Sequence, residues 1–148
     1  MKPVAVVTGG AGFVGSHMVD LLVDRGYAVR VVDNLVGGRT ANLAHHSSNS
    51  DVVFHEIDVR ALEVGSPIFK DAKRVFHFAG IGDIVPSIEQ PSEYMSVNVL
   101  GTVNVLECAR AAGVEKLVYA ASSSCYGLAQ TPTREDHVID TKYPYALS

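Results

Sequence analysis

A chain of 148 residues, 47% apolar and 19% charged, has the balance of a globular α/β protein with one domain, which excludes a fibrous or disordered polymer. A formal net charge of −4 offers no basic face to neutralise a polyanion, so nucleic acid is not an expected partner. No apolar run approaches the ~20 residues of a membrane-spanning helix, and no membrane partner is expected.

In chain order, the first strand begins at Val4 with "VAVV" and runs into the glycine turn "TGGAGFVG". The opening "MKPVAVVTGG" breaks into glycines too early for a signal-peptide core, so the cytoplasm is the expected compartment. A helix follows over residues 13–25. Its periodicity places Val14, Met18, Leu21 and Leu22 on one apolar stripe with Asp20 and Asp24 outside it, and Gly26 reads as the stop. "AVRVV" from Ala28 is a second strand, ending at Asp33. Residues 34–51 read as a polar loop with one helical turn. The third strand is "VVFHEI" from Val52, followed by Asp58; the helix expected before Lys73 is weakened by Gly65 and Pro67. "RVFHF" from Arg74 is the fourth strand, leading to Ala79 and Gly80. A long helix over about residues 92–112, apolar on more than one side, is closed by Gly113, and "KLVYA" from Lys116 is the fifth strand. Strands with little alternation are covered on both faces. Their exchange with helices at this spacing predicts a doubly wound parallel α/β sheet.

Ligands of such sheets bind beyond the carboxyl ends of the strands. The residues that follow the five strands are Gly9, Gly12 and Gly15; Asp33; Asp58; Ala79 and Gly80; and Ser122, Ser123 and Ser124. All fall on one edge of the sheet. The glycines are spaced G-x-x-G-x-x-G after a strand and before a helix, which brings the N–H groups of Phe13 and Val14 and the helix dipole to a pyrophosphate. Asp33, 18 residues after Gly15, stands where a carboxylate accepts from an adenosine ribose diol and repels a 2′-phosphate, favouring NAD over NADP. Taken alone, Asp33 with Asn34 is equally a turn-forming pair, and a run of serines after a strand is ordinarily a helix cap. No Gly-Lys-Ser/Thr follows the glycines, so a P-loop is excluded. His45 and His46 lie in a polar loop with no third ligand at metal spacing, and Cys108 and Cys125 lack a C-x-x-C spacing. No metal site or disulfide is expected, and Cys108 reads as a buried small hydrophobe within the long helix.

In that order, "TGGAGFVGSH", "VVDNL", "DVR", "HFAG", "NVLGTVNVLE", "AASSSCYG" and "YPYALS" resemble the extended short-chain dehydrogenases/reductases, and within them the NAD-dependent nucleotide-sugar epimerases and dehydratases. The resemblance implies an NAD-binding Rossmann domain over residues 1–148. Phe13 and Val14 match the pyrophosphate turn, and Asp33, Asn34 and Leu35 the adenosine-ribose segment. Asp58 and Val59 match the adenine contact, Phe78, Ala79, Gly80 and Ile81 the loop beneath the cofactor, and Asn98 a helix residue facing it. Ser122 matches the catalytic Ser/Thr and Tyr145 the catalytic tyrosine, which takes the sugar hydroxyl proton while hydride leaves C4. Ser123 and Ser124, on the substrate side, stand where the 4,6-dehydratases carry acidic side chains, which points to a UDP-sugar 4-epimerase. Gly82 departs from the lysine of many galactose-type epimerases.

The resemblance implies a nucleotide-sugar partner and a homodimer formed through the long helix and the helix begun at Tyr145; sedimentation as a monomer at micromolar concentration would contradict the latter. It also implies a Tyr-x-x-x-Lys pair with lysine at the next position, closing strands and a sugar-binding domain beyond this chain, and no turnover from these 148 residues alone. Alternatives are a 4,6-dehydratase or other extended short-chain dehydrogenase, and an NAD-binding module without chemistry.

Overall fold

Runs of β-branched residues favour strands, and here the central ones are buried on both faces while the edge strand from Lys116 is mostly exposed. In the computed structural model, which describes residues 2–148, they form β1 (Val4–Thr8), β2 (Ala28–Asp33), β3 (Val52–Glu56), β4 (Ala72–His77) and β5 (Lys116–Tyr119). All neighbours are parallel, in the order β3-β2-β1-β4-β5, the doubly wound Rossmann-like arrangement expected from the alternation. The chain winds outward from β1 to β3 and then crosses to β4, so the strand order reverses between β1 and β4. Thr8 is in register with Val32 on one side and His77 on the other, which sets the turns after β1, β2 and β4 at one edge.

The helices are α1 (Phe13–Asp24), α2 (Ile84–Glu89), α3 (Pro91–Tyr94), α4 (Gly101–Ala111) and α5 (Pro144–Leu147). A π-helical stretch, Met95–Leu100, joins α3 to α4, so the long helix is present but underwound between them. Gly26 and Gly113 end α1 and α4 with φ of 81° and 68°, as glycine can without penalty. Before β4, 3-10 turns at Val59–Ala61 and Pro67–Phe69 replace an α-helix, the latter capped by Ser66, whose Oγ accepts from Ile68 N. The polar loop after β2 carries a seven-residue 3-10 helix, Thr40–His46.

Two apolar layers flank the sheet. Ala5, Val7, Val29 and Val31 pack with Val19 and Leu22 of α1, and Val6, Val32 and Val75 pack with Phe69, Val105 and Cys108 on the α4 side. Cys108 is buried as expected. Its Sγ donates to Glu63 O, and burial pushes the thiol pKa up.

The expected stripe of α1 is corrected. The buried residues are Gly15, Ser16, Val19 and Leu22, while Val14 and Leu21 are 56% and 46% exposed. A Cβ on Gly15 would overlap the carbonyl oxygen of Gly9 and lie 2.7 Å from Gly10 Cα. The helix therefore docks on its smallest residues, which turns Val14 outward. The reading of His45 and His46 is also corrected, because Asp20 of α1 meets both rings.

Candidate functional site

A cleft of about 370 Å³ opens where the strand order reverses, between the turn after β1 and the segment after β4. Gly9 and Gly12 line one wall, and Phe78, Ala79, Gly80, Ile81 and Gly82 the other. The walls approach so closely that a Cβ on Gly9, whose φ is 68°, would come within 2.5 Å of Phe78 C. Gly12 caps α1 without a side-chain hydrogen bond, so the first-turn N–H groups of Phe13 and Val14 remain available to a ligand anion.

Asp33 forms the floor. It is 7% exposed, with Oδ2 accepting from Ala11 N at 2.9 Å and Oδ1 from Leu35 N at 2.8 Å. A carboxylate oxygen accepts two hydrogen bonds, so one site on each oxygen is left. The second contact holds Leu35 in a left-handed conformation, φ 61°, which turns the chain toward Gly37 and Gly38. A Cβ on Gly38 would stand 2.8 Å from Asp33 Oδ1, so this glycine, not singled out in the sequence, keeps the carboxylate accessible.

Asp58 is less free. Its Oδ1 accepts from Arg60 N and Nε, and its Oδ2 from Arg60 Nη2 and Asn34 Nδ2, at 2.8 to 3.0 Å. The Arg60 guanidinium holds the carboxyl well below the usual carboxylate range. A base donating to Asp58 must displace one of these partners, and Asn34, which carries no charge, is the weakest. Arg60 also pairs with Glu93 at 2.9 Å, and both line the cleft. No spacing in the sequence marks this pair, whose partners lie 33 residues apart.

Asn98 sits on the π-helical stretch, not in the cleft wall. Its Oδ1 accepts from Ile81 N at 2.9 Å and its Nδ2 donates to Ile81 O at 3.0 Å. It clamps the loop as a neighbouring strand would, and the π turn aims it there. Beneath the loop runs a buried chain of polar groups. Thr102 Oγ1 donates to Asn98 O, so it accepts from His77 Nε2–H at 2.9 Å. The Nδ1 of His77 then accepts from Thr8 Oγ1, which takes the Ala79 N–H. Burial pulls the His77 pKa down to about 4, consistent with this neutral tautomer.

Ser122 performs the cap role that serines ordinarily play, its Oγ accepting from Ser124 N at 3.2 Å to open the 3-10 turn Ser123–Tyr126. Helix α5 packs on that turn and on α2 and α3, which brings Tyr145 toward the cleft. The Tyr145 ring meets Tyr94 edge-on at 6.2 Å. A Cβ on Gly82 would be 3.6 Å from the Tyr145 Oη, and the carbonyl of Gly82 accepts from Tyr94 Oη at 2.9 Å. Ser122 and Tyr145 thus occupy adjacent elements, and no hydrogen bond joins them among the described residues. Tyr94 was missed as the brace of this corner.

The chain resembles nucleotide-sugar enzymes in sequence and structure. It is 35% identical over 153 residues to UDP-glucose 4-epimerase 2 of Arabidopsis thaliana, covering 98% of this chain and 44% of that protein. It superposes with a TM-score of 0.91 and 30% identity on a UDP-N-acetylglucosamine 4-epimerase from Methanobrevibacter ruminantium, solved with UDP-N-acetylmuramic acid, over 99% of this chain and 47% of that one. A dTDP-glucose 4,6-dehydratase from Streptomyces venezuelae, solved with NAD, gives a TM-score of 0.89 at 32% identity over 97% and 47%. The chain spans about half the length of these relatives. Residues 5–148 match the sequence profile of the NAD-dependent epimerase/dehydratase family, and the chain belongs to it.

Proposed function

We propose that the whole protein is an NAD-dependent UDP-sugar 4-epimerase, acting on UDP-glucose and UDP-galactose or their N-acetyl forms, with residues 1–148 as its NAD-binding domain and a sugar-binding domain in the remainder. The observation that carries this reading is the cleft at the strand reversal, floored by Asp33 and walled by Gly9 and Gly12, where Gly9 admits no side chain. A pyrophosphate fits a turn that is bare backbone, and a ribose diol fits the two acceptor sites left on Asp33. When bound, NAD supplies the hydride acceptor for C4 of the sugar.

The chain's own residues do the rest. The first-turn N–H groups of Phe13 and Val14 hold the pyrophosphate, and Asn98 keeps residues 79–81 at a fixed height beneath the cofactor. Ser122, with its Oγ accepting from Ser124 N, still has its own proton to donate to the C4 oxygen. Tyr145, once its phenol has given up its own proton, would be the base for the C4 hydroxyl while C4 is oxidised to a 4-keto sugar, and would return that proton when C4 is reduced. Hydroxyls at Ser123 and Ser124 supply no acid for eliminating water across C5 and C6, which favours epimerisation over the dehydratase reading that the 4,6-dehydratase likeness raises. Apolar side chains exposed on the long helix and α2, among them Val99, Val103, Leu106 and Ile88, support a homodimer. No helix among the described residues is long and apolar enough to cross a membrane, and both cysteines are free, which fits a cytoplasmic setting.

Calorimetric titration of the whole protein tests the cofactor assignment. NAD is expected to bind at least tenfold more tightly than NADP. Asp33→Ala is expected to weaken NAD by about 10- to 100-fold, the loss of hydrogen bonds to a charged group. Equal affinity for the two cofactors, or an Asp33→Ala protein that binds NAD like the parent, would sink it.

A further inference from the structure

On the far side of α1 from the glycine turn, the structure gathers side chains that the epimerase reading does not use. His45 Nε2 and His46 Nε2 each lie 2.7 Å from the same atom, Asp20 Oδ1. The donor atoms of the three residues lie within 4.8 Å of one another, and the two imidazoles stand 4.2 Å apart. Successive residues of a 3-10 helix point about 120° apart, yet these neighbours converge on one carboxylate oxygen. His17, one turn before Asp20 on α1, places Nδ1 3.8 Å from Asp20 Oδ2.

The geometry points to a binding site for a divalent transition-metal cation of the zinc class, held by Asp20, His45 and His46. Two imidazoles and one carboxylate are the donor set such ions take, whereas calcium and magnesium prefer oxygen alone. Each imidazole now gives its Nε2 proton to Asp20; to ligate, it moves that proton to Nδ1 and offers the Nε2 lone pair. Donors about 2.0–2.2 Å from a tetrahedral zinc stand roughly 3.3 Å from each other, so the 2.7 Å contacts open by about half an ångström. The His45 side chain, 56% exposed, can follow that change, and it leaves the site open for the ion to enter. Water completes the coordination.

The site joins α1 to the connection between β2 and β3. That connection already leans on the glycine turn, with Arg39 N and Asn42 Nδ2 both donating to Ala11 O at 2.9 and 2.8 Å. A bound cation therefore staples the outer wall of the cleft to α1 and stabilises the fold without entering the cleft.

The test is calorimetric titration of the untagged, chelator-treated whole protein with zinc chloride, paired with its thermal melt. The parent is expected to take up one equivalent with micromolar affinity and to melt several degrees higher with zinc. Exposed His45→Gln, and Asp20→Asn, are expected to lose at least tenfold in affinity and most of the melting shift, while His137→Gln behaves as the parent. No saturable uptake by the parent overturns the proposal, and so does a His45→Gln protein that binds zinc as tightly.

Discussion

Gly15→Ala is expected to lower the stability of the protein by about 3 kcal/mol, at the upper end of what an overpacked methyl costs, and its melting temperature by roughly 10 °C. The added carbon would overlap Gly9 O and sit 2.7 Å from Gly10 Cα, and neither can move away. Gly9 is fixed by its N–H to Val32 O at 2.7 Å and by the Gly12 N–H to its own carbonyl at 3.1 Å. Relief requires α1 to lift from the sheet, which also opens the pyrophosphate turn, so NAD affinity should fall in step. Gly37→Ala is the matched control: its Cβ meets nothing within 4 Å, and an exposed change of this kind stays within about 0.5 kcal/mol. A Gly15→Ala protein that melts within a degree of the parent would contradict the packing described for α1.

The second large effect is on acid stability. His77 is buried between Thr8 and Thr102, and burial holds its pKa at about 4, against ~6.5 for an unfolded histidine. Above pH 7 the ring is neutral in both states and contributes no pH dependence. As the pH falls below about 6.5 the unfolded chain binds a proton that the folded chain refuses, so stability drops by about 1.4 kcal/mol per pH unit. The loss levels off near pH 4 at about 3 kcal/mol. Denaturant titrations at pH 7.5, 6 and 5 on the parent and on His77→Gln isolate this contribution. The substituted protein starts less stable, but its slope between pH 6.5 and 5 should be shallower by about 1 kcal/mol per unit. Identical slopes would show that the Thr8–His77–Thr102 chain does not exclude the proton.

What the sequence made legible follows the range of the forces involved. The β-branched runs and the glycines at 26 and 113 act locally, and the strands and helix ends fall where those residues put them. Asp33 was legible because a strand end fixes its neighbours. The docking face of α1 was not, since Val14 and Leu21 satisfy helical periodicity and only the overlap between Gly15 and Gly9, six residues apart and folded back through the turn, shows which face must be bare. Arg60 and Glu93, and Asp20 with His45 and His46, are pairings across 25 or more residues that no spacing rule reveals. Asn98, expected to face the cofactor, has its amide on Ile81, and the π-helical stretch that aims it there has no signature in "MSVNVL".

The most direct measurement is proton NMR of the whole protein incubated with UDP-glucose, or with UDP-N-acetylglucosamine, and NAD. The C4 epimer is expected to grow to equilibrium with no net consumption of NAD. With Tyr145→Phe the rate should fall by 10²- to 10⁴-fold, the usual loss for a missing acid–base group, while NAD still binds. A 4-keto-6-deoxy product, turnover that survives Tyr145→Phe, or no change at C4 of either sugar would contradict the epimerase reading.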